Sequence, residues 1–226
     1  MTLSIIIPVL NEAASIGQLL QQLTTLVGRQ VEIIVVDGCS NDHTLDIVSQ
    51  YDDVNLIKSA CGRAKQMNAG AAVATGETLL FMHADTRFSA NSNDFEQIQL
   101  SIIGYQWGFF KVRLSGQHFM YRVIESMINF RSSLTGVATG DQCIFIVRDV
   151  FDTLKGYKDM PLMEDVELTS RLKRHSKPFV INRAVTTSSR RWESKGIIST
   201  IMLMWRLRFL YFIGVSPKKL AKSYLY

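Results

Sequence analysis

The run Leu79-Leu80-Phe81-Met82 ends abruptly on His83-Ala84-Asp85-Thr86. A strand built only to pack has no need of an imidazole and a carboxylate two positions apart. In an extended segment such a pair points to one face. One aspartate, together with diphosphate oxygens and water, completes an octahedral Mg²⁺ or Mn²⁺ site. Imidazole suits Mn²⁺ and is poor for Mg²⁺. His83 and Asp85 are therefore candidate metal ligands, and the end of a strand is the alternative for His83.

Four other clusters could do related chemistry. Asp37 ends an apolar run and is followed by Gly38; it could accept a hydrogen bond from a base imide or a ribose hydroxyl, or simply form a turn. Arg63 and Lys65 open the stretch Arg63 to Gly70, where cations oppose a helix dipole unless a phosphate sits there. Glu164-Asp165-Val166-Glu167 places acids in a first helical turn. They are stabilising in themselves, and either Glu164 or Asp165 could serve as a general base. Ser188-Ser189-Arg190-Arg191-Trp192 sets a basic pair beside an aromatic, suited to a diphosphate or an anionic lipid.

The elements that carry these clusters alternate in period. Leu3 to Val9, Val31 to Val36, Val54 to Ile57 and Thr78 to Met82 read as strands. Between them, Glu12 to about Val27 (with Asn11 as N-cap), a short segment to Ser49, and Arg63 to Ala74 (stopped by Gly76) read as helices. This β-α-β-α-β-α-β order predicts an α/β fold with a mostly parallel sheet covered by helices. Ligands bind such sheets beyond the carboxyl ends of the strands, where Pro8 to Glu12, Asp37 to Asp42 and His83 to Thr86 all fall. Further on, strands are expected over Gln106 to Leu114, Gln142 to Val147 and Phe179 to Ile181. Helices are expected over Phe119 to Phe130, Glu164 to Arg174 and 195 to 213. The expected organisation is a catalytic domain over 1–194 and a C-terminal helical extension over 195–226, packed on the domain or on a membrane or partner.

Composition narrows the class. The chain has 226 residues, 47% hydrophobic and 20% charged, with net charge +5, which is ordinary for a globular protein. The mild positive charge fits small anions or an anionic membrane surface, and there is no arginine-rich tract to suggest nucleic acid. Three scattered cysteines make neither a disulfide framework nor a zinc site. The opening Met-Thr-Leu-Ser runs straight into a strand without the features of a signal peptide. The expectation is a cytoplasmic protein, peripheral at most on the inner face of the membrane. Arg206 and Arg208 interrupt the apolar segment Ile197 to Val215, which disfavours a membrane span. No Gly-x-Gly-x-x-Gly or P-loop occurs, so phosphate must be held without a glycine cradle.

In order and spacing, Ser4 to Glu12, Val35 to Asp42, Arg63 to Gly70, His83 to Thr86, Gly140-Asp141-Gln142 and Glu164-Asp165 resemble family 2 glycosyltransferases. The His-Ala-Asp-Thr form is similar to a short bacterial subfamily associated with radical-SAM and selenodomain proteins. The resemblance implies a GT-A nucleotide-diphospho-sugar fold and inverting, metal-assisted transfer from a nucleotide sugar, with UDP as the expected carrier, to a saccharide, lipid or small-molecule hydroxyl. It implies Asp165 as base with Glu164 beside it. Pro8, Asn11, Glu12, Asp37, Arg63, Asn68, Ala84 and Arg191 are implied at the donor, and Asp85 and His83 at a Mn²⁺ or Mg²⁺ ion. His83 stands where the family motif has an acid, and the glutamine of the processive Gln-x-x-Arg-Trp motif is missing. A nucleotidyltransferase and a non-catalytic nucleotide-sugar-binding protein are the alternatives.

Overall fold

The computed structural model describes residues 2–25, 30–88 and 94–225. Seven strands form one sheet: β1 (Leu3–Val9), β2 (Val31–Asp37), β3 (Val54–Lys58), β4 (Thr78–Phe81), β5 (Trp107–Leu114), β6 (Ile144–Val147) and β7 (Phe179–Thr187). Their spatial order is β3-β2-β1-β4-β6-β5-β7. β1 to β4 pair in parallel, and β5 pairs in parallel with β7. Only β6, between β4 and β5, runs antiparallel to its neighbours. The helices are α1 (Ala13–Thr24), α2 (Thr44–Val48), α3 (Arg63–Val73), α4 (Asp94–Ile102), α5 (Phe119–Thr135), α6 (Arg148–Thr153), α7 (Glu164–His175), α8 (Arg190–Lys195), α9 (Ile197–Phe212) and α10 (Pro217–Leu225). The expected mixed α/β sheet is present.

Strand alternation divides the core in two. Leu3, Ile5, Ile7 and Val9 face Ile16, Leu19, Leu20 and Leu23 of α1. Ile6, Ile34 and Val36 face Ala64, Met67 and Ala71 of α3, in a layer shared with Trp107, Phe109, Leu168 and Leu172. A period of 2 therefore buries both faces of β1, as a central parallel strand requires. Small side chains on α3 let it lie close to the sheet.

Gly108 marks the tightest sheet contact. A β-carbon there would lie 2.2 Å from the Phe179 carbonyl oxygen and 2.4 Å from the Phe145 ring. Gly108→Ala is expected to cost about 1–3 kcal/mol or more by overpacking. Thermal denaturation should show this as a loss of roughly 2–12 °C in Tm.

Several boundaries differ from expectation. The first helix begins at Ala13 with Glu12 as N-cap. Asn11 instead adopts a positive φ of 56° and its Oδ1 accepts from the Asn41 N–H at 2.9 Å. The expected helix end near Val27 lies outside the described residues. α3 is capped by Ala74; Gly76 instead donates its N–H to Ser4 Oγ, where a β-carbon would collide. β7 runs to Thr187 because it pairs with β5 along nearly its whole length, past a register shift at Phe110/Lys111. α4, α6 and α8 are short or weakly patterned and were not anticipated as helices, while α10 falls within the expected helical extension.

The C-terminal helices pack on the domain. Leu207 of α9 and Leu220 of α10 are buried with Val137, Met163 and Val166. Met163 and Val166 flank the Glu164-Asp165 pair, so these helices meet the body beside the acids. No helix among the described residues is long and apolar enough to cross a membrane.

Candidate active site

Beyond the carboxyl ends of β1 and β4 lies a cleft of ≈ 820 Å³. Pro8 and Glu12 reach it from β1, Arg63 from the first turn of α3, and His83, Ala84 and Asp85 from β4. Glu164 and Asp165 reach it from the first turn of α7, and Arg190 and Arg191 from α8. Residues from these five segments of sequence thus converge, as the polar strand ends suggested.

Gln66 sets the floor. Its buried amide donates to the Val9 and Val36 carbonyls, both at 2.8 Å. These are the oxygens at the ends of β1 and β2. The loops beyond are stitched by side chains: Asn11 N–H donates to Ser40 Oγ, Glu12 N–H to Thr44 Oγ1 and Ala13 N–H to Asp42 Oδ2. Stitching occupies two of the expected donor residues. Asp37, only 1% exposed, accepts from the Cys39 and Ser40 N–H groups, and neither Asp37 nor Asn11 is among the cleft-lining residues. Asn68 is likewise a structural clamp. It donates to the Tyr157 carbonyl at 2.7 Å and accepts from the Tyr157 N–H at 2.9 Å, so it fixes the loop that leads to Glu164.

His83 and Asp85 do not share a strand face. The chain turns after β4, with the Thr86 N–H donating to the His83 carbonyl at 3.1 Å. His83 Nδ1 lies 3.2 Å from Asp141 Oδ1. Its Nε2 abuts Gly140, where a β-carbon would come within 2.5 Å. Asp141 thus engages Nδ1 and the ring packs against Gly140; Nδ1 is the nitrogen not open to an ion. Asp85 fits a metal-ligand role: its carboxylate is 25% exposed in the cleft, and its ion-pair partner, Arg190 Nη2, stands off at 3.8 Å. Among the described residues no group of three or more His, Cys, Asp or Glu is placed to hold one ion. An ion at Asp85 would need ligand oxygens to complete its shell. Arg190 also approaches Glu12 Oε2 at 3.2 Å, joining the β1 and β4 edges through α8.

The two neighbouring acids of α7 have different surroundings. Glu164 is 5% exposed; burial, then the adjacent Asp165 charge, push its carboxyl up, against the pull of Arg63. Asp165 is half-buried, with Oδ2 accepting from the Gly140 N–H and Oδ1 from the Val166 N–H, each at 2.7 Å. Those bonds fix its orientation and leave lone pairs toward the cleft.

A cationic cluster faces the acids. Arg191 stacks on the Tyr224 ring at 3.9 Å; burial, then the like charge of Arg63, lower its pKa, and Asp141 opposes this. Desolvation pushes the Asp141 carboxyl up, but the hydrogen bond and charge of His83, with Arg63 and Arg191, outweigh it and hold it low. Two guanidinium groups brought together on one wall of the cleft present converging donors and positive charge, which suits a polyanion. The sequence pointed to Arg63 and to the Arg190-Arg191 pair but gave Arg131 and Arg208 no individual role. The two arginines inside the apolar Ile197 to Val215 segment were the visible signal for Arg208.

The comparisons with known proteins follow this geometry. A model of "Glycosyl transferase family 2" matches residues 4–154. A probable glycosyltransferase of Bacillus subtilis, YdaM, is 27% identical over 197 residues, covering 75% of this chain and 46% of that protein. The poly(ribitol-phosphate) beta-N-acetylglucosaminyltransferase TarS of Staphylococcus aureus is 36% identical over 93 residues, 38% of this chain and 16% of TarS. This chain thus spans less than half the length of each. A crystal structure of TarS residues 1–349 superposes with a TM-score of 0.68 at 22% identity, covering 84% of this chain and 61% of that one. The mannosyltransferase PcManGT of Pyrobaculum calidifontis, in complex with GDP-Man and Mn²⁺, superposes with a TM-score of 0.64 at 19% identity, covering 91% and 60%. The GT-A fold is shared with these structures, and the chain belongs to glycosyltransferase family 2.

Proposed function

We propose that this protein transfers a sugar from a nucleotide-diphospho-sugar to an acceptor hydroxyl with inversion at the anomeric carbon. The observation that carries the proposal is the meeting, in one cleft, of a fixed carboxylate at Asp165 with the Arg63 and Arg191 guanidinium groups. Asp165 takes the proton from the acceptor hydroxyl. The acceptor oxygen bonds to the anomeric carbon as the bond to the diphosphate oxygen breaks. Arg63 and Arg191 stabilise the charge that develops on the departing diphosphate. Asp85 would hold a divalent ion, which supplies further charge neutralisation at the diphosphate. Asp141 and His83 form a pair that orients this cationic wall. A UDP-sugar is the proposed donor, supported by the TarS complex with UDP-GlcNAc. The His83 to Thr86 form supports placement in the radical-SAM-associated subfamily. Residues 195–226 are proposed as an extension that completes the acceptor side.

A thermal-shift panel of UDP, GDP and their sugars, with and without Mn²⁺, tests this. A base-selective, Mn²⁺-enhanced rise in Tm is expected, with the Mn²⁺ enhancement lost in Asp85→Asn. Arg191→Ala should weaken nucleotide binding roughly 10- to 100-fold, the worth of a charge-assisted hydrogen bond. No response to any nucleotide would sink the proposal.

A further inference from the structure

Arg131, on α5, sits in the cleft away from the Arg63–Arg191 cluster and is not used by the chemistry above. One of its nitrogens, Nη1, donates to the Val137 carbonyl at 3.1 Å. Its Nε and Nη2 are buried and, among the described residues, have no hydrogen-bond partner. A buried charged donor left unpaired is expensive, and native structures rarely tolerate one without a reason. Arg208 of α9 lies close enough that the two cations repel. Burial, then the Arg208 charge, lower the Arg131 pKa to about 10, while Asp165 opposes the shift. Burial lowers Arg208 also, against the attraction of Asp165 and Asp141. Both guanidinium groups line the same cleft within electrostatic reach of Asp165, and two of the Arg131 donors have no protein acceptor among the described residues.

The adjoining walls have a different character. Ile124 and Ile128 of α5 and Ile201 and Met204 of α9 line the same cleft. At its mouth stand Phe130 and Trp205, 71% and 57% exposed. A cationic pair at the inner end and an apolar passage leading out suit a ligand with an anionic head and an apolar body.

Resting on the transferase proposal, we infer that Arg131 and Arg208 form an acceptor subsite for an amphiphilic anion, a phosphate or carboxylate carried on an apolar chain whose polar head also bears the acceptor hydroxyl. An anion seated there would take up the orphaned Arg131 donors and screen Arg131 from Arg208. It would also bring the acceptor beside Asp165. The apolar chain would lie between α5 and α9 and cover Phe130 and Trp205.

Isothermal titration of the full chain saturated with UDP tests this, using octyl phosphate, inorganic phosphate and octyl glucoside as probes. Octyl phosphate is expected to bind at least about tenfold more tightly than either control. Arg208→Met and Arg131→Lys should each weaken it about tenfold or more while UDP affinity changes less than about twofold. Retention of the wild-type Tm shows that each variant is folded, and either variant alone suffices. Sedimentation with phosphatidylcholine vesicles, with and without phosphatidic acid, separates the sources. Phosphatidic-acid-dependent binding that Arg208→Met abolishes assigns the anion to a bilayer lipid. Octyl phosphate binding without vesicle binding assigns it to a dispersed amphiphile. Equal binding of octyl phosphate and octyl glucoside would overturn the inference, as would an equal loss of UDP affinity in the variants. UDP binding that persists in either case leaves the transferase proposal standing; failure of the wild-type protein to bind UDP or any other nucleotide would remove that proposal instead.

Discussion

Asp165→Asn is expected to lower sugar transfer by about 10²- to 10⁴-fold, the usual contribution of a positioned general base. Donor affinity should change less than about threefold, because the guanidinium groups proposed to grip the diphosphate are untouched. The substitution is close to isosteric, yet it carries a local cost. Asp165 accepts from the Gly140 and Val166 N–H groups, and an asparagine can offer a carbonyl to only one of them. A Tm measurement separates that cost from the chemical defect. Glu164→Gln is the comparison. Burial and the Asp165 charge push Glu164 up, which makes it a rival base, but Glu164 is 5% exposed and the half-buried Asp165 is the more accessible of the two, so the Glu164 amide should retain most transfer. Full activity in Asp165→Asn, or a larger defect in Glu164→Gln, would exchange the two assignments.

The second large effect is expected at Arg171, which no nucleotide need touch. Its guanidinium donates to Glu167 Oε1 and Oε2 at 2.9 Å and again to Oε2 at 2.6 Å. It also donates to the Leu154 and Gly156 carbonyls. Lys158 Nζ completes the knot at 2.7 Å from Glu167 Oε1. Arg171 thus ties α7 to the loop before it, and Asn68 secures the same loop from α3. Arg171→Met would leave a largely buried carboxylate short of its main partner. A loss of about 3–5 kcal/mol is expected, or roughly 6–20 °C in Tm for a chain of this size.

The acid dependence of this knot has a definite sign. Burial pushes the Glu167 carboxyl up, but its bonds to Arg171 and Lys158 outweigh this and hold it below its ordinary value. The unfolded chain therefore takes up the proton first as pH falls. Glu167 contributes stability above the ordinary glutamate range, and that contribution disappears as pH drops through the lowered folded value. Urea denaturation against pH should show a shallower acid slope in Arg171→Met than in the parent. An unchanged slope would mean that the carboxylate is held by something else.

The order β-α-β-α-β-α-β was legible because β1, β2 and β4 are continuous β-branched or apolar runs and α1 repeats its apolar residues at helical spacing. Those signals are local, and local backbone preference plus burial of both sheet faces suffices to produce them. The long β7 was not legible. Asn182 and Arg183 break any alternation there, and the strand continues because β5 offers a parallel partner. α8 was equally hidden, being a six-residue segment with no buried side chain to mark a helical face.

At the site, residue type was informative and assignment was not. Arg63, Asp85, Glu164, Asp165 and Arg191 do converge on the cleft. Asn11, Asp37 and Asn68 look the same in sequence, yet Asp37 and Asn68 spend their polar atoms on backbone groups and Asn11 spends its Oδ1 on the Asn41 N–H. A carboxylate or amide at a strand end serves a ligand or a turn with identical chemistry, and only the positions of nearby N–H and C=O groups decide between them.

His83-Ala84-Asp85 shows the division most clearly. Sequence alone determined that polar, chemically capable residues end the central strand, because a buried apolar run can end in such groups only at a sheet edge. It determined the α/β fold class for the same local reasons. Tertiary structure decided that the chain turns after Phe81, separating the two side chains. It gave His83 to Asp141, left Asp85 at the cleft, and brought Arg131 and Arg208 together from segments 77 positions apart. Such pairings depend on packing across the molecule, and no local spacing encodes them.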